Sequence, residues 1–198
     1  MAAVVLHPPN SSHSDVSPEN VPYDRLLGRW HVIASTLPLW KDKRDVTITY
    51  MAIIGEAETT FDDLVEYASQ TAKPGSKRSK VEGVDTLQTD VEGNGARWKW
   101  RGKGLLKPIT SHWQLLGHSL PSPATPSAFS SVEPEWAVTY FSSTLFTSAG
   151  LDFYARDPTT VSDEKVAEIV RKLEELGGEV EKLVKDGGMF RVPCSAQE

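Results

Sequence analysis

The stretch that decides the fold is "GRWHVIAST", residues 28–36. A glycine, a charged residue and a tryptophan stand directly before an alternating run, and such a Gly-x-Trp pair means little alone. Its weight depends on whether the rest of the chain is built of similar strands. From Arg29 onward the sequence breaks into eight short runs rich in strand-forming residues with period-2 patterning: 29–36, 45–54, 59–70, 80–90, 96–101, 109–118, 135–142 and 151–156. The connectors carry turn chemistry, "KPGSK" at 73–77 and above all "EGNGA" at 92–96, whose Asn94-Gly95 pair suits the positive φ of a tight hairpin. Adjacent strands are therefore expected to pair antiparallel.

The chain has 198 residues, 39% hydrophobic and 24% charged, which suits one domain with a real core. A net charge of −6 argues against a nucleic-acid partner, because duplex binders concentrate Lys and Arg. The opening "MAAVVLHPPNSSHSDVSPEN" lacks the basic start and the roughly 7–15 apolar residues of a secretory signal. No segment approaches the roughly 18 apolar residues of a membrane span. The single cysteine, Cys194, cannot form an internal disulfide and reads as an incidental tail thiol, so a cytoplasmic protein is expected. Residues 1–20, rich in Ser, Pro and Asn, read as a disordered leader, 21–192 as the folded domain and 193–198 as a tail. The Pro/Ser-rich connector "LPSPATPSAFSSVEP" at 120–134 is too long for a hairpin turn and reads as a mobile excursion between neighbouring strands. No pattern in the sequence fixes an oligomeric state.

One helix stands out in "PTTVSDEKVAEIVRKLEELGG", residues 158–178. Ser162 is its N-cap, Asp163 and Glu164 complement the dipole in its first turn, and Gly177 stops it. Val166, Ile169, Val170, Leu173 and Leu176 form one apolar stripe, expected to dock on the chain's own sheet. The following "EVEKLVKDG" suits either more helix or a short ninth strand. Closing the sheet on itself removes its edges, and about eight strands is the size at which the interior holds one small ligand. The expected fold is all-β: an eight-stranded up-and-down antiparallel β-barrel with one C-terminal α-helix packed on the outside.

Gly28-x-Trp30 at the start of the first strand, the eight alternating runs, and a last strand ending in Arg156 before a helix together resemble the lipocalins of the calycin superfamily. The run from Glu135 to Gly177 is similar to that of bacterial and plant lipocalins of the apolipoprotein D type, and "DVTITY" at 45–50 to their second strand. "WRGKGLLKPITSHWQLLG" at 100–117 is similar to uncharacterised lipocalin-like proteins of filamentous fungi. The resemblance covers most of 25–177. It implies that Trp30 plugs the closed end of the barrel and that Arg156 lies across its indole. The chain departs from the family where "EPEW" at 133–136 replaces Thr-Asp-Tyr, in the long connector before it, and in lacking the disulfides and secretion signal of many members. The resemblance supplies the container and not its contents.

Alternation places Trp98 and Trp100 on one face of their strand and Arg97, Lys99 and Arg101 on the other, solvated one. Tyr50, Tyr67, Trp113 and Tyr140 add rings and hydroxyls on other strands, giving an aromatic cage for a flat or polycyclic hydrophobic molecule, or rings that fill the barrel. His112 is a further polar candidate if its face of the sixth strand, shared with Gln114, points inward; if Trp113 and Leu115 do, it lies outside. No dinucleotide loop, zinc spacing or GxSxG elbow occurs, so no cofactor, metal or catalytic residue is assigned. "FDD" at 61–63 and "SDE" at 162–164 are explained by solvation and capping. The expected function is intracellular binding of a small hydrophobic ligand. The alternative, suggested by fungal barrels that look like lipocalins, is a cofactor-independent, pericyclase-like cyclase or isomerase of specialised metabolism working in the same cavity. A barrel without a ligand, docking through its long loop, is a third option.

Overall fold

The computed structural model describes residues 3–73, 75–89, 95–120, 134–144 and 147–195. Its frame is eight strands: β1 (Gly28–Ser35), β2 (Lys43–Ala52), β3 (Thr60–Ser69), β4 (Ser79–Leu87), β5 (Arg97–Gly102), β6 (Thr110–His118), β7 (Trp136–Phe141) and β8 (Gly150–Ala155). Each pairs antiparallel with the next, and β1 pairs with both β2 and β8, which closes the barrel. Closure leaves no unpaired strand edge within these eight. A two-residue strand, β9 (Phe190–Arg191), adds to β1 at Ala34 and Ser35. The eight expected runs are all strands, the clearest trimming being β4, which ends at Leu87. The Asn94 turn and residues 121–133 of the long connector lie outside the described residues. The connector's two ends are tied together: Ser119 Oγ donates to the Pro134 carbonyl at 2.7 Å and accepts from the Trp136 N–H at 2.8 Å.

Strand alternation divides the apolar residues between two cores. Trp30, Val32, Ile48, Tyr50, Phe61, Trp98, Trp113 and Tyr154 fill the inside. Ile33, Leu116, Val138, Leu151 and Phe153 face outward under the helical layer. Helix α2 (Asp163–Glu175) follows the short N-terminal helix α1 (Tyr23–Leu26) in the chain, and starts at Ser162, whose Oγ accepts from the Lys165 N–H at 3.2 Å. It buries Val166, Ile169 and Leu173 in the outer core. Gly177 and Gly178, at φ +70° and +62°, then reverse the chain into a second helix, α3 (Gly178–Gly187), which buries Val180 and Val184 there. The segment from Glu179 to Gly187 is thus helical, and the ninth strand comes after it.

Residues 3–20 are not the free leader their composition suggested. His7 N–H donates to the Leu116 carbonyl at 2.7 Å, Asn10 N–H to Gln114 Oε1 at 2.8 Å, and Ala96 N–H to the Val16 carbonyl at 2.5 Å. Val4, Leu6 and Val16 are buried. At Gly117 the Val5 carbonyl occupies the place a Cβ would take, so the segment lies directly on the β6 backbone. Three well-placed apolar side chains outweigh a polar average. The last described residues are also pinned: Asp45 N–H donates to the Pro193 carbonyl at 2.8 Å, Ser195 N–H donates to Asp45 Oδ1 at 2.7 Å, and Cys194 is buried with Sγ 3.9 Å from His31 Nδ1.

Candidate functional site

The site is built upward from the closed end. Trp30 is 0% exposed, and its indole N–H donates to the Leu26 carbonyl at 2.8 Å. The Arg156 guanidinium carbon sits 3.7 Å from the Trp30 ring centre. Its N–H groups donate to the Arg29 carbonyl at 3.0 Å, the Leu27 carbonyl at 2.7 Å, the Arg25 carbonyl and Glu135. Gly28 is required twice over: its φ is +97°, and a Cβ there would lie 3.2 Å from Arg156 Nη1. The planar fork of arginine satisfies several carbonyls while its face covers the indole.

Above this plug the rings stack. Trp98 and Trp113 lie 4.3 Å apart at 13°, and Trp113 and Tyr50 lie 5.7 Å apart at 6°. Phe61 tilts against Tyr50 at 4.9 Å and Trp98 at 6.1 Å. These rings fill the lower barrel and form a floor. On that floor rests a cavity of about 310 Å³, walled by Tyr50, Trp113, Trp100, Val65, Phe141 and Tyr154. Leu37, Leu39 and Trp40 from the β1–β2 connector and Ser142, Thr147 and Ser148 from the β7–β8 connector frame its mouth. The Trp100 indole holds its place because β4 has Gly83 beneath it, where a Cβ would lie 2.1 Å from the indole nitrogen. Gly83→Ala is expected to displace Trp100 and to cost about 1–3 kcal/mol, read as a lower urea midpoint. An unchanged midpoint and cavity would show that Trp100 is free to move.

Three carboxyl groups project into this apolar interior: Asp63, Asp85 and Asp152, at 9%, 0% and 1% exposure. Trp113 Nε1 donates to Asp85 Oδ1 at 2.7 Å, and Trp40 Nε1 and the Tyr154 hydroxyl each donate to Asp152 Oδ2 at 3.4 Å. Asp63 Oδ1, Asp85 Oδ2 and Asp152 Oδ1 have no hydrogen-bond partner. Burial pushes Asp63 up to about 7, opposed by the Trp100 N–H, and Asp152 up to about 7, opposed by Ser35, Trp40 and Tyr154. Asp85 rises well above the usual carboxylate range through burial and its neighbour Asp63. Burial likewise keeps the Tyr50 and Tyr154 phenols un-ionised. Among the described residues lining the cavity there is no Lys, Arg or His.

Of the residues singled out from sequence, Tyr50, Trp100 and Trp113 line the cavity, while Trp98 lies beneath it in the floor. Tyr67 is half-buried, edge-on to Trp40 at 5.7 Å with Lys43 Nζ 5.7 Å from its ring. Two do not belong to the lumen. His112 pairs opposite Lys99 on the outer face, since Trp113 and Leu115 take the inner positions of β6. Its pKa is held down by burial and by Arg97 and Lys99. Tyr140 points outward to α3, its hydroxyl donating to Glu179 Oε2 at 2.9 Å, and burial with Glu179 pushes its pKa up to about 12. Solvation does not explain "FDD": Asp63 is a buried, inward residue of β3, in phase with Phe61 and Val65. That phase was the missed signal, as was the phase of Asp85 with Leu87. Tyr154 was also missed.

A second cavity, about 370 Å³, lies outside the barrel between the N-terminal segment and β6, lined by His7, Asp15, Asn20 and His118 among others. There His7, His13 and Asp15 bring ligand-type atoms within 4.8 Å of one another. The His7 and His13 rings are stacked at 4.0 Å, and His13 Nδ1 already accepts from the Asp15 N–H at 3.3 Å. This is ion-pair and capping geometry, with one lone pair engaged.

An up-and-down eight-stranded barrel, corked at one end by a Trp–Arg contact and open at the other over a ring-lined lumen, is a lipocalin-like architecture. Solved structures with the same fold include apocrustacyanin C1, with a TM-score of 0.56 and 12% identity over 96% of this chain and 91% of that one. The siderocalin Ex-FABP, described as functioning through dual ligand specificities, gives 0.53 and 15% over 85% and 94%. Insecticyanin from the tobacco hornworm Manduca sexta gives 0.52 and 10% over 96% and 93%. Identities this low speak to the shared fold alone. No family model matches the sequence, and no curated protein matches it.

Proposed function

We propose that the protein binds a small, hydrophobic, ring-bearing molecule in the barrel lumen, stacked on the Tyr50–Trp113 floor and flanked by Trp100. The observation that carries this is the 310 Å³ of apolar space left above rings that otherwise fill the barrel. The volume is at the small end of ligand cavities, which favours a molecule of one to three rings over a long polyene. Burying about 200 Å² of apolar ligand surface contributes about 5 kcal/mol before the cost of association. The lone cysteine, with no possible internal disulfide, supports an intracellular setting.

The test is a titration with the neutral probe N-phenyl-1-naphthylamine, followed by its fluorescence. Trp100→Ala is expected to weaken binding by about fivefold or more, the loss of one stacking wall. His112→Ala and Tyr140→Phe, both outside the lumen, leave it unchanged. A probe that does not bind, or that binds equally to Trp100→Ala, contradicts the lumen site.

One observation favours a second reading. Asp63 and Asp152, titrating at about 7 in an apolar, ring-walled space, are partly protonated at neutral pH and supply the hydrogen-bond donors a cofactor-independent cyclase or isomerase requires. Incubation with an extract of small molecules from the native host distinguishes the readings: a carrier retains a compound unchanged, whereas an enzyme yields a product that Asp63→Asn fails to form.

A further inference from the structure

A neutral hydrophobic ligand leaves the three buried acids of the lumen without a purpose. An ionised carboxyl in an apolar interior costs several kcal/mol, and an amide or apolar side chain of similar volume avoids that cost. The acids are also not used up by the fold, because each keeps one oxygen without a hydrogen-bond partner. Asp63 and Asp85 are diagonal neighbours, Asp63 standing opposite Gly83 and Asp85 opposite Phe61 on the paired strands β3 and β4. Asp152 reaches the same cavity from β8. The other titratable groups facing them are Tyr50 and Tyr154, neutral phenols. The lining thus presents acids and ring faces without a matching cation.

Resting on the reading of the lumen as the binding site, we propose that the ligand is a cation: a protonated amine on a flat hydrophobic frame, its ammonium group donating to Asp63 with Asp85 behind it. The cation supplies the missing partner of the unpaired Asp63 oxygen. The rings of Tyr50 and Trp100 that line the cavity stabilise both the frame and the charge. A charge-assisted hydrogen bond in a dry site is also stronger than a neutral one, so the ligand's charge sets selectivity more than its shape.

Three probes on one frame test this by calorimetry on the full chain at pH 8: 1-naphthylmethylamine, 1-naphthalenemethanol and 1-naphthoate. The amine is expected to bind about tenfold or more tightly than the alcohol, and the carboxylate at least about tenfold more weakly than the alcohol. In Asp63→Asn the amine-to-alcohol affinity ratio should fall to within about twofold. The amine's affinity should rise between pH 6 and pH 8 as Asp63 and Asp152 ionise, and the alcohol's should not. Equal affinities for amine and alcohol in the wild type, or a preference that survives in the Asp63→Asn/Asp152→Asn double variant, overturn the assignment. Binding of the alcohol without preference for the amine would leave the lumen site standing and remove only the charge; binding of none of the three removes both.

Discussion

Trp30→Ala is expected to cost about 3–5 kcal/mol, the usual penalty for truncating a buried aromatic side chain. That is a large share of the roughly 5–15 kcal/mol that holds a domain together. The indole is fully enclosed, and its removal takes away the surface on which the Arg156 guanidinium lies. Arg156→Ala acts on the same contact from the other side. It leaves the carbonyls of Leu27 and Arg29 without the Arg156 donor and Glu135 with Arg25 as its remaining guanidinium partner. Arg156→Lys is no rescue, because a single ammonium cannot bridge carbonyls on both sides of Gly28 and cover a ring. Urea unfolding followed by far-ultraviolet circular dichroism gives the loss directly. A Trp30→Ala loss below about 1 kcal/mol would show that the plug does not hold the closed end.

The second large effect has the opposite sign. Asp63 has a folded pKa of about 7 against an ordinary value of 3.8, so the folded protein holds this proton more tightly than the unfolded chain. Stability from this group therefore falls as pH rises from about 4 to about 7 and is level above that. Asparagine keeps the shape and cannot ionise. Asp63→Asn is expected to be more stable than the wild type at pH 8 by up to about 4 kcal/mol, and to differ little at pH 4. Asp152→Asn follows the same course, its acid also titrating at about 7. Surface acids such as Asp157 and Glu175, whose pKa values are lowered by hydrogen bonds, contribute the opposite slope in both proteins. The difference between variant and wild type is hence the informative quantity. A variant less stable than the wild type at pH 8 would mean that Asp63 is stabilised by something other than a ligand yet to arrive. A stability cost retained at a ring-lined cavity is the usual mark of a group kept for binding or chemistry.

The parts of the fold legible in the sequence were those where one face of a strand meets water. In β5 the charges Arg97, Lys99 and Arg101 mark the solvent side, so the inward direction of Trp98 and Trp100 follows from alternation alone. In β8 all six residues are buried, because the helical layer covers the outside, and no alternation separates Leu151 and Phe153 from Asp152 and Tyr154. Tyr140 misled for the same reason: an aromatic residue on β7 has an apolar setting on either side, and it faces α3. Asp63 and Asp85 were overlooked because charged residues ordinarily face water, although both sit in phase with apolar neighbours. The packing of residues 3–20 escaped composition because its buried apolar anchors are three, Val4, Leu6 and Val16, and the rest of its hold is through hydrogen bonds that composition does not show.

The most direct test of the lumen as a binding site is a crystal structure of the protein with 1-naphthylmethylamine. The naphthyl ring is expected over the Tyr50–Trp113 floor beside Trp100, with its nitrogen within hydrogen-bond distance of Asp63. A ring bound on the outer surface, or a lumen closed by inward rotation of Trp100 and Leu39, would contradict it.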